Sequence, residues 1–424
     1  PIRICCTQPR RVAAQKLASR VASEYKTDLG DLVGFKVGSR GRSKEECEKI
    51  SKRTIIEFVT EGKLLFSLAK SIEFIERYDA VIIDEMHERN TEQDLCLSLL
   101  RDYLRKVKTS RPSFKVVVMS ASIDAQRFCQ YFDNCPTMNC PGRNFPVQEV
   151  YSQEDGLTEE GELISRAVEV LFEEIVGGAK IEPGDVLIFL TGASAIDDCV
   201  SIISSRVEAS GAPVVAYPLY SRLDQSIIAA STNPNHRCGL QKKENKKKNH
   251  KAVRKVICTT NIAETSLTID GVRFVIDSGR AKKVKYDHVL RCPALSDTWV
   301  SHASTIQRKG RAGRTNSGSC FYLYTRAFHD HMERYDTPNI LEEPVDLLIL
   351  FSLDVCGRSI EEMGLLDSPR PEDINCAKER LTDLGFLQRH DGKLGLTSDG
   401  QLACSLSSTL QPESCRMVLT CFEK

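Results

Sequence analysis

The sequence predicts an α/β fold: two parallel-sheet units in succession, the first truncated at its start, then a helical segment with a small β-ribbon. Three observations lead there. Over the first 325 residues, short β-branched apolar runs alternate with stretches whose apolar residues recur at helical spacing. That alternation breaks at a loop bounded by Pro141 and Pro146 and then restarts. Beyond about residue 325 helical periodicity dominates.

Strands are expected at 3–7, 80–83, 115–119, 185–190, 213–217, 256–259, 273–276 and 319–324. Most are short and almost continuously apolar, as strands buried on both faces are. Between them Ala14, Leu17, Ala18, Val21 and Ala22 mark one amphipathic helix, and Leu163, Ile164, Ala167, Val168, Leu171 and Ile175 another. Strand–helix alternation implies right-handed crossovers and hence parallel sheets. Further on, Ile374, Ala377, Leu381 and Leu384 predict a helix stopped at Gly385, then a turn at Asp391-Gly392 and a strand at 393–396. Helix, turn and ribbon suggest a winged helix. The expected domains are 1–145, 146–328, 329–392 and 393–424, the last a helical domain begun and not finished.

Composition narrows the function. The 424 residues hold 58 Lys plus Arg against 58 Asp plus Glu, so attraction to nucleic acid must come from local placement of cations. No apolar run reaches membrane-span length and the amino end carries no signal-peptide stretch. The 17 cysteines form no Cys-x-x-Cys, which favours buried thiols in a reducing compartment, cytosolic or nuclear, over zinc or a disulfide framework. Between 241 and 255 eight Lys or Arg face the single acid Glu244; the stretch reads as a solvated insertion or as an arm that touches phosphates.

Four segments carry chemistry. Asp84-Glu85-Met86-His87 follows directly on the apolar strand 80–83, at the carboxyl end where parallel sheets bind ligands. An Asp there can hold Mg²⁺ through water, and the adjacent Glu can polarise a water for attack on a γ-phosphate. The plain alternative is a helix amino-terminus stabilised by acids. In Gln307-Arg308-Lys309-Gly310-Arg311-Ala312-Gly313-Arg314, Arg311 and Arg314 are three apart and are expected on one helix face, as a guanidinium pair for phosphate or as a generic basic helix. The segment 260–270 crowds hydroxyl and amide groups at another strand end, and Thr7-Gln8-Pro9-Arg10-Arg11 opens a helix with two arginines.

This ordered set resembles the helicase motifs of superfamily 2, specifically the DEAH/RHA family of RNA helicases. Residues 7–14 resemble motif Ia, 60–65 motif Ib, 84–87 motif II, 120–122 motif III, 190–192 motif IV, 260–269 motif V and 307–314 motif VI. Residues 341–399, with Ser368-Pro369-Arg370-Pro371, resemble the family's winged helix. Met86 stands where the family usually has Ala or Val, and Ser122 where it has Thr.

The resemblance implies two RecA-like units, ATP and Mg²⁺ as cofactors, and single-stranded RNA held by its backbone, with protein activators among the possible partners. It implies that Asp84 and Glu85 serve Mg²⁺ and the attacking water, that Gln307 positions that water, and that Arg311 and Arg314 bind the γ-phosphate. His87 and 120–122 would couple nucleotide state to movement, Thr268 and Asp270 would lie near the ribose, and Arg10, Arg11, Thr60, Ser221 and Thr265 would touch RNA. It implies movement 3′-to-5′, and a strand-separating hairpin at 280–299 whose Lys282, Lys283 and Lys285 equally suit a plain surface hairpin. No Gly-x-x-x-x-Gly-Lys-Ser/Thr occurs; the family's phosphate loop would precede Pro1, so the piece is expected to bind ATP poorly by itself. The rival reading is an ATPase-deficient RNA-binding scaffold, and a DNA translocase is a third.

Overall fold

The computed structural model describes every residue except 1, 39–42, 72, 143–144, 155–158, 178–182, 234–235, 237–252, 265–268, 288–291, 391–392, 407–409 and 423–424. The chain divides into two compact units. The first comprises Pro1–Thr137, Lys285–Ala294 and Thr337–Lys424; the second comprises Met138–Val284 and Leu295–Asp336.

In the first unit β1 (Ile4–Gln8), β2 (Val33–Lys36), β3 (Glu48–Lys49), β4 (Ile56–Thr60), β5 (Ala80–Ile83) and β6 (Lys115–Val118) form one sheet. Their order is β3-β2-β4-β1-β5-β6, parallel except for the antiparallel edge β3. The expected strands are there; β2, β3 and β4 were not foreseen. One face is covered by the helix Arg11–Glu24, whose Ala14, Ala18 and Ala22 pack on Val33, Phe35 and Phe58. Small alanines let that helix lie close to the sheet.

The other face belongs to a larger core. Val81, Ile83, Leu97 and Leu100 share it with Leu348, Ile349, Met363, Leu381 and Phe386, so the carboxy-terminal helices pack onto the first sheet's own helices. These are Val345–Val355, Ile360–Met363, Pro371–Asp383, Ser398–Leu406 and Pro412–Phe422. The helix Pro371–Asp383 ends as expected, with Gly385 at φ +73°, a left-handed conformation suited to glycine. An antiparallel ribbon follows, β15 (Leu387–His390) with β16 (Lys393–Leu396); the expected turn Asp391-Gly392 lies outside the described residues. A partly buried ion cluster adds to the core: Asp367 is held by Arg89 at 2.5 Å and by Arg127, while Arg89 also grips fully buried Asp94 at 2.9 Å.

The second unit has β7 (Val147–Tyr151), β8 (Asp185–Phe189), β9 (Val214–Leu219), β10 (Arg254–Thr259), β11 (Val272–Asp277) and β14 (Gly318–Tyr322) in the all-parallel order β7-β14-β11-β8-β10-β9. Both faces are covered. Leu163, Ile164, Ile196 and Ile203 pack on Val186 and Ile188, and Leu187, Phe189 and Ile257 point to a second core with Ala263, Ala312 and Tyr324. The predicted helix around residues 163–175 runs as an α-helix over Glu160–Val170 and widens to a π-helix over Leu171–Val176. The expected hairpin appears as β12 (Arg280–Asp287) with β13 (Cys292–Trp299).

Two cations assigned above to the basic stretch belong to β10 instead. Lys255 is buried and donates to the carbonyls of Ala230 and Asn233, and Arg254 lies over the Phe274 ring. Residues 241–252 lie outside the described residues. The described cysteines are free thiols, and no described helix is long and apolar enough to cross a membrane.

Gly318 opens β14 where the chain passes between two carbonyls. A Cβ there would come within 2.1 Å of the Arg273 oxygen and 2.7 Å of the Ala312 oxygen, both backbone atoms. Gly318→Ala is expected to destabilise the second unit by about 1–3 kcal/mol, read as a lower midpoint in urea unfolding, whereas Gly161→Ala, in a helix with open space around its Cβ position, does not lower the midpoint.

Candidate active site

In the first unit the parallel register assembles the site. β1 pairs on one edge with β4, Gln8 opposite Thr60, and on the other with β5, Cys6 opposite Ile82. The carboxyl ends of three adjacent strands therefore lie in a row, and the chain leaving them carries Gln8, Arg10, Thr60 and Asp84.

Asp84 is fixed from both sides. Its Oδ2 accepts from Gln8 Nε2 at 2.6 Å, its Oδ1 from the Glu85 amide at 2.8 Å, and its own amide donates to Thr7 Oγ1 at 3.3 Å. Glu85 adopts the left-handed conformation, φ 52° and ψ 37°, a strain of about 1–3 kcal/mol for a residue with a side chain. The turn brings the Glu85 carboxylate within 3.5 Å of His87 Nε2, with the His87 ring almost buried and Glu85 one-third exposed. Met86 is fully buried in the core, and its amide donates to the Met119 carbonyl at the exit of β6.

A buried layer that the sequence reading missed supports this loop. Gln93 Nε2 donates to Glu61 Oε1 at 2.7 Å and to the carbonyls of Asp84 and Glu85 at 3.2 Å each, while Asn90 Nδ2 donates to Glu61 Oε2 at 2.6 Å. The amide orientations are set because Asn90 and Gln93 also form the reciprocal cap of the helix Thr91–Val107, each side-chain oxygen accepting from the other's backbone. Glu61 is thus joined to the Asp84–Glu85 loop through Gln93. Burial pushes its carboxyl up to about 8, against the amide donors of Asn90 and Gln93. An Asn followed three residues later by Gln was a legible cap signature; its second task was not legible.

Among the residues expected at RNA, Arg10 stands before the helix Arg11–Glu24 and Arg11 begins it. Thr60 precedes the helix Glu61–Lys70 without capping it. All three leave the same carboxyl edge as Asp84.

In the second unit, the expectation that Arg311 and Arg314 share a helix face is not met. The helix His302–Gly310 carries Gln307 and closes at Gly310, with Arg311 its capping residue and exposed Arg314 in the turn beyond. The cause is close packing. A Cβ at Gly313 would lie 2.6 Å from the Phe145 oxygen, and Phe145 donates its amide to the Gly313 carbonyl at 2.9 Å, so the chain must turn there to enter β14.

The arginine one turn before them is the anchor. Arg308 is fully buried, 2.6 Å from Glu264 and 2.7 Å from Asp277, with its guanidinium over the Phe189 ring. Burial opposes its charge, but Asp277 and Glu264 outweigh that and raise its pKa. The pairs tie the helix His302–Gly310 to the end of β11 and to the Thr260–Glu264 turn after β10. Asp270 is exposed beside Gly271, and Ser221 is exposed after β9. Thr265 and Thr268 lie outside the described residues. The hairpin lysines are matched with acids, Lys282 with Glu160, Lys283 with Asp336 and Lys285 with Glu342.

Residues 167–316 match the helicase conserved C-terminal domain family. Two solved structures of Escherichia coli HrpB are similar along most of the chain. One, described as a DExH-box NTPase, shares 29% identity at a TM-score of 0.76 over 98% of this chain and 46% of its own. The other, described as a DEAH/RHA helicase, shares 29% identity at 0.74 over 98% and 48%. The second unit thus contains a helicase C-terminal domain. The chain as a whole is similar to these DExH-box and DEAH/RHA proteins and spans about half their length.

Two outcomes follow from the buried charges. Glu61 is raised from 4.5 to about 8 in the fold, so its contribution to stability is full below pH 4.5 and is lost as pH rises through 8. Glu61→Gln is expected to flatten the fall of thermal midpoint over that range relative to wild type. Arg308→Met would leave Asp277 and Glu264 uncompensated, costing about 3–5 kcal/mol, seen as a second-unit transition at markedly lower urea.

Proposed function

We propose that the chain is the core of an ATP-dependent RNA helicase which couples hydrolysis to 3′-to-5′ movement on RNA and to remodelling of RNA or RNA–protein complexes. The observation that carries the reading is the Asp84–Glu85 turn: an acid fixed by a neighbouring strand, next to an acid held in a strained conformation at a parallel sheet's carboxyl edge. Strain of this kind persists where the surroundings over-determine it, and it clusters at active sites.

The donor set suits Mg²⁺, a hard cation that takes one or two carboxylates and keeps its waters. Asp84 and Glu85 would hold it, and the bound ion would neutralise charge on the phosphates. Glu85 would also orient and deprotonate the attacking water, with His87 fixing the Glu85 carboxylate. In the second unit Gln307 would position that water, and Arg311 and Arg314 would bind the γ-phosphate. Asp270 and Thr268 would serve the ribose. Arg10, Arg11, Thr60, Ser221 and Thr265 would grip phosphates and 2′-hydroxyls, so recognition is largely independent of sequence. Residues 329–392 would act as a winged helix and 393–424 as the start of a ratchet-like helical domain. The protein would work in the nucleus or cytoplasm.

The test is Glu85→Gln in the full-length protein. RNA-stimulated ATP hydrolysis should fall by about 10²–10⁴-fold, the range for a lost general base, while affinity for single-stranded RNA persists. Unchanged turnover would remove Glu85 from the chemistry. Wild-type protein that binds RNA yet never hydrolyses ATP would favour a scaffold, and stimulation by DNA alone would favour a DNA translocase.

A further inference from the structure

Away from these residues, the second unit brings two imidazoles and a carboxylate together. His302 is the first residue of the helix His302–Gly310, and His329 and Asp330 lie in the helix Arg326–His331. One ligand atom from each lies within 4.8 Å of the others. The backbone brings these elements close, His302 N–H donating to the Glu333 carbonyl at 2.8 Å and Ala303 N–H to the Arg334 carbonyl at 3.1 Å.

Thr305 Oγ1 lies 2.9 Å from the His302 carbonyl and 3.2 Å from His329 Nε2, and the tautomer with the proton on Nε2 satisfies both contacts, the hydroxyl donating to the carbonyl and accepting from the ring. In that tautomer His329 Nδ1 carries a bare lone pair. It is buried and makes no hydrogen bond, it stands 3.6 Å from the Asp330 carboxylate, and the His302 ring centroid is 4.1 Å from its own. A bare lone pair facing a carboxylate and a second imidazole is an arrangement a cation completes. A ring whose far N–H is already engaged is also how metal-bound imidazoles are usually held.

We propose that His302, His329 and Asp330 bind a divalent transition metal of the zinc class, with one coordination position left to water. Two nitrogens and one carboxylate oxygen are a zinc-type set, whereas Mg²⁺ prefers oxygen alone. Metal–ligand bonds of about 2.0–2.2 Å require the ligand atoms to draw closer than they stand. The buried His329 stays in place, while half-buried His302 and exposed Asp330 move. Asp330 gives up its exposed pairing with Arg326, 3.2 Å away. Bound metal then staples the start of the helix carrying Gln307 and Arg308 to the helix Arg326–His331.

The experiment is a Co²⁺ titration of the full chain with Zn²⁺ competition, compared with the double variant His302→Gln, Asp330→Asn, which leaves buried His329 untouched. Expected are visible ligand-field bands without thiolate-to-cobalt charge transfer, displaced by Zn²⁺, unaffected by excess Mg²⁺ and absent in the double variant. Zn²⁺ should raise the thermal midpoint of wild type, by RT ln(1 + [L]/Kd) in free-energy terms, and leave the variant unmoved. Bands that survive in the variant, bands of thiolate type only, or no Zn²⁺-dependent shift in wild type would each overturn the assignment. A variant whose unliganded midpoint matches wild type shows that lost binding is not lost folding.

Discussion

The first unit's candidate site depends on one constraint, the parallel pairing of β1 with β4 on one side and β5 on the other. Parallel strands end on the same edge, so three chain segments far apart in sequence deliver their next residues to one row. The hydrogen bond from Gln8 to Asp84 spans 76 positions in sequence and exists only because that register holds. A slip of one residue would invert the facing of every side chain on the strand, and Asp84 would lose its partner.

Much of this was legible in advance. The apolar runs placed most strands because strands buried on both faces leave little room for polar residues. The acidic pair was legible because it follows such a run directly. What escaped was the supporting layer. Glu61, Asn90 and Gln93 are polar residues on two helices, and no periodicity says that their side chains meet beneath a loop. The strands β2 and β3 escaped because β2 is short and mixes Gly and Lys with apolar residues, and the edge strand β3 is only Glu48-Lys49. The shared helix face of Arg311 and Arg314 failed for a tertiary reason: three-residue spacing implies a common face only while the helix lasts, and close packing at Gly313 ends it.

Charge placement explains how a chain of zero formal charge can be selective about where it presents cations. Two largely buried cations are matched with acids, Arg308 with Asp277 and Glu264 inside the second unit and Arg89 with Asp94 and Asp367 inside the first. The hairpin lysines follow the same rule at the surface, where each pair is worth little and weakens with salt. Arg314 stands exposed in its turn, and Arg10 and Arg11 stand at a helix entrance.

The left-handed backbone at Glu85 has a consequence for how this chain can change. At that position glycine, or asparagine to a lesser degree, would relax the peptide that the Glu85 side chain strains. Selection for thermal robustness alone would therefore erode the acid, and with it the water-activating role proposed for Glu85. Sturdiness and that proposed chemistry pull this one residue in opposite directions.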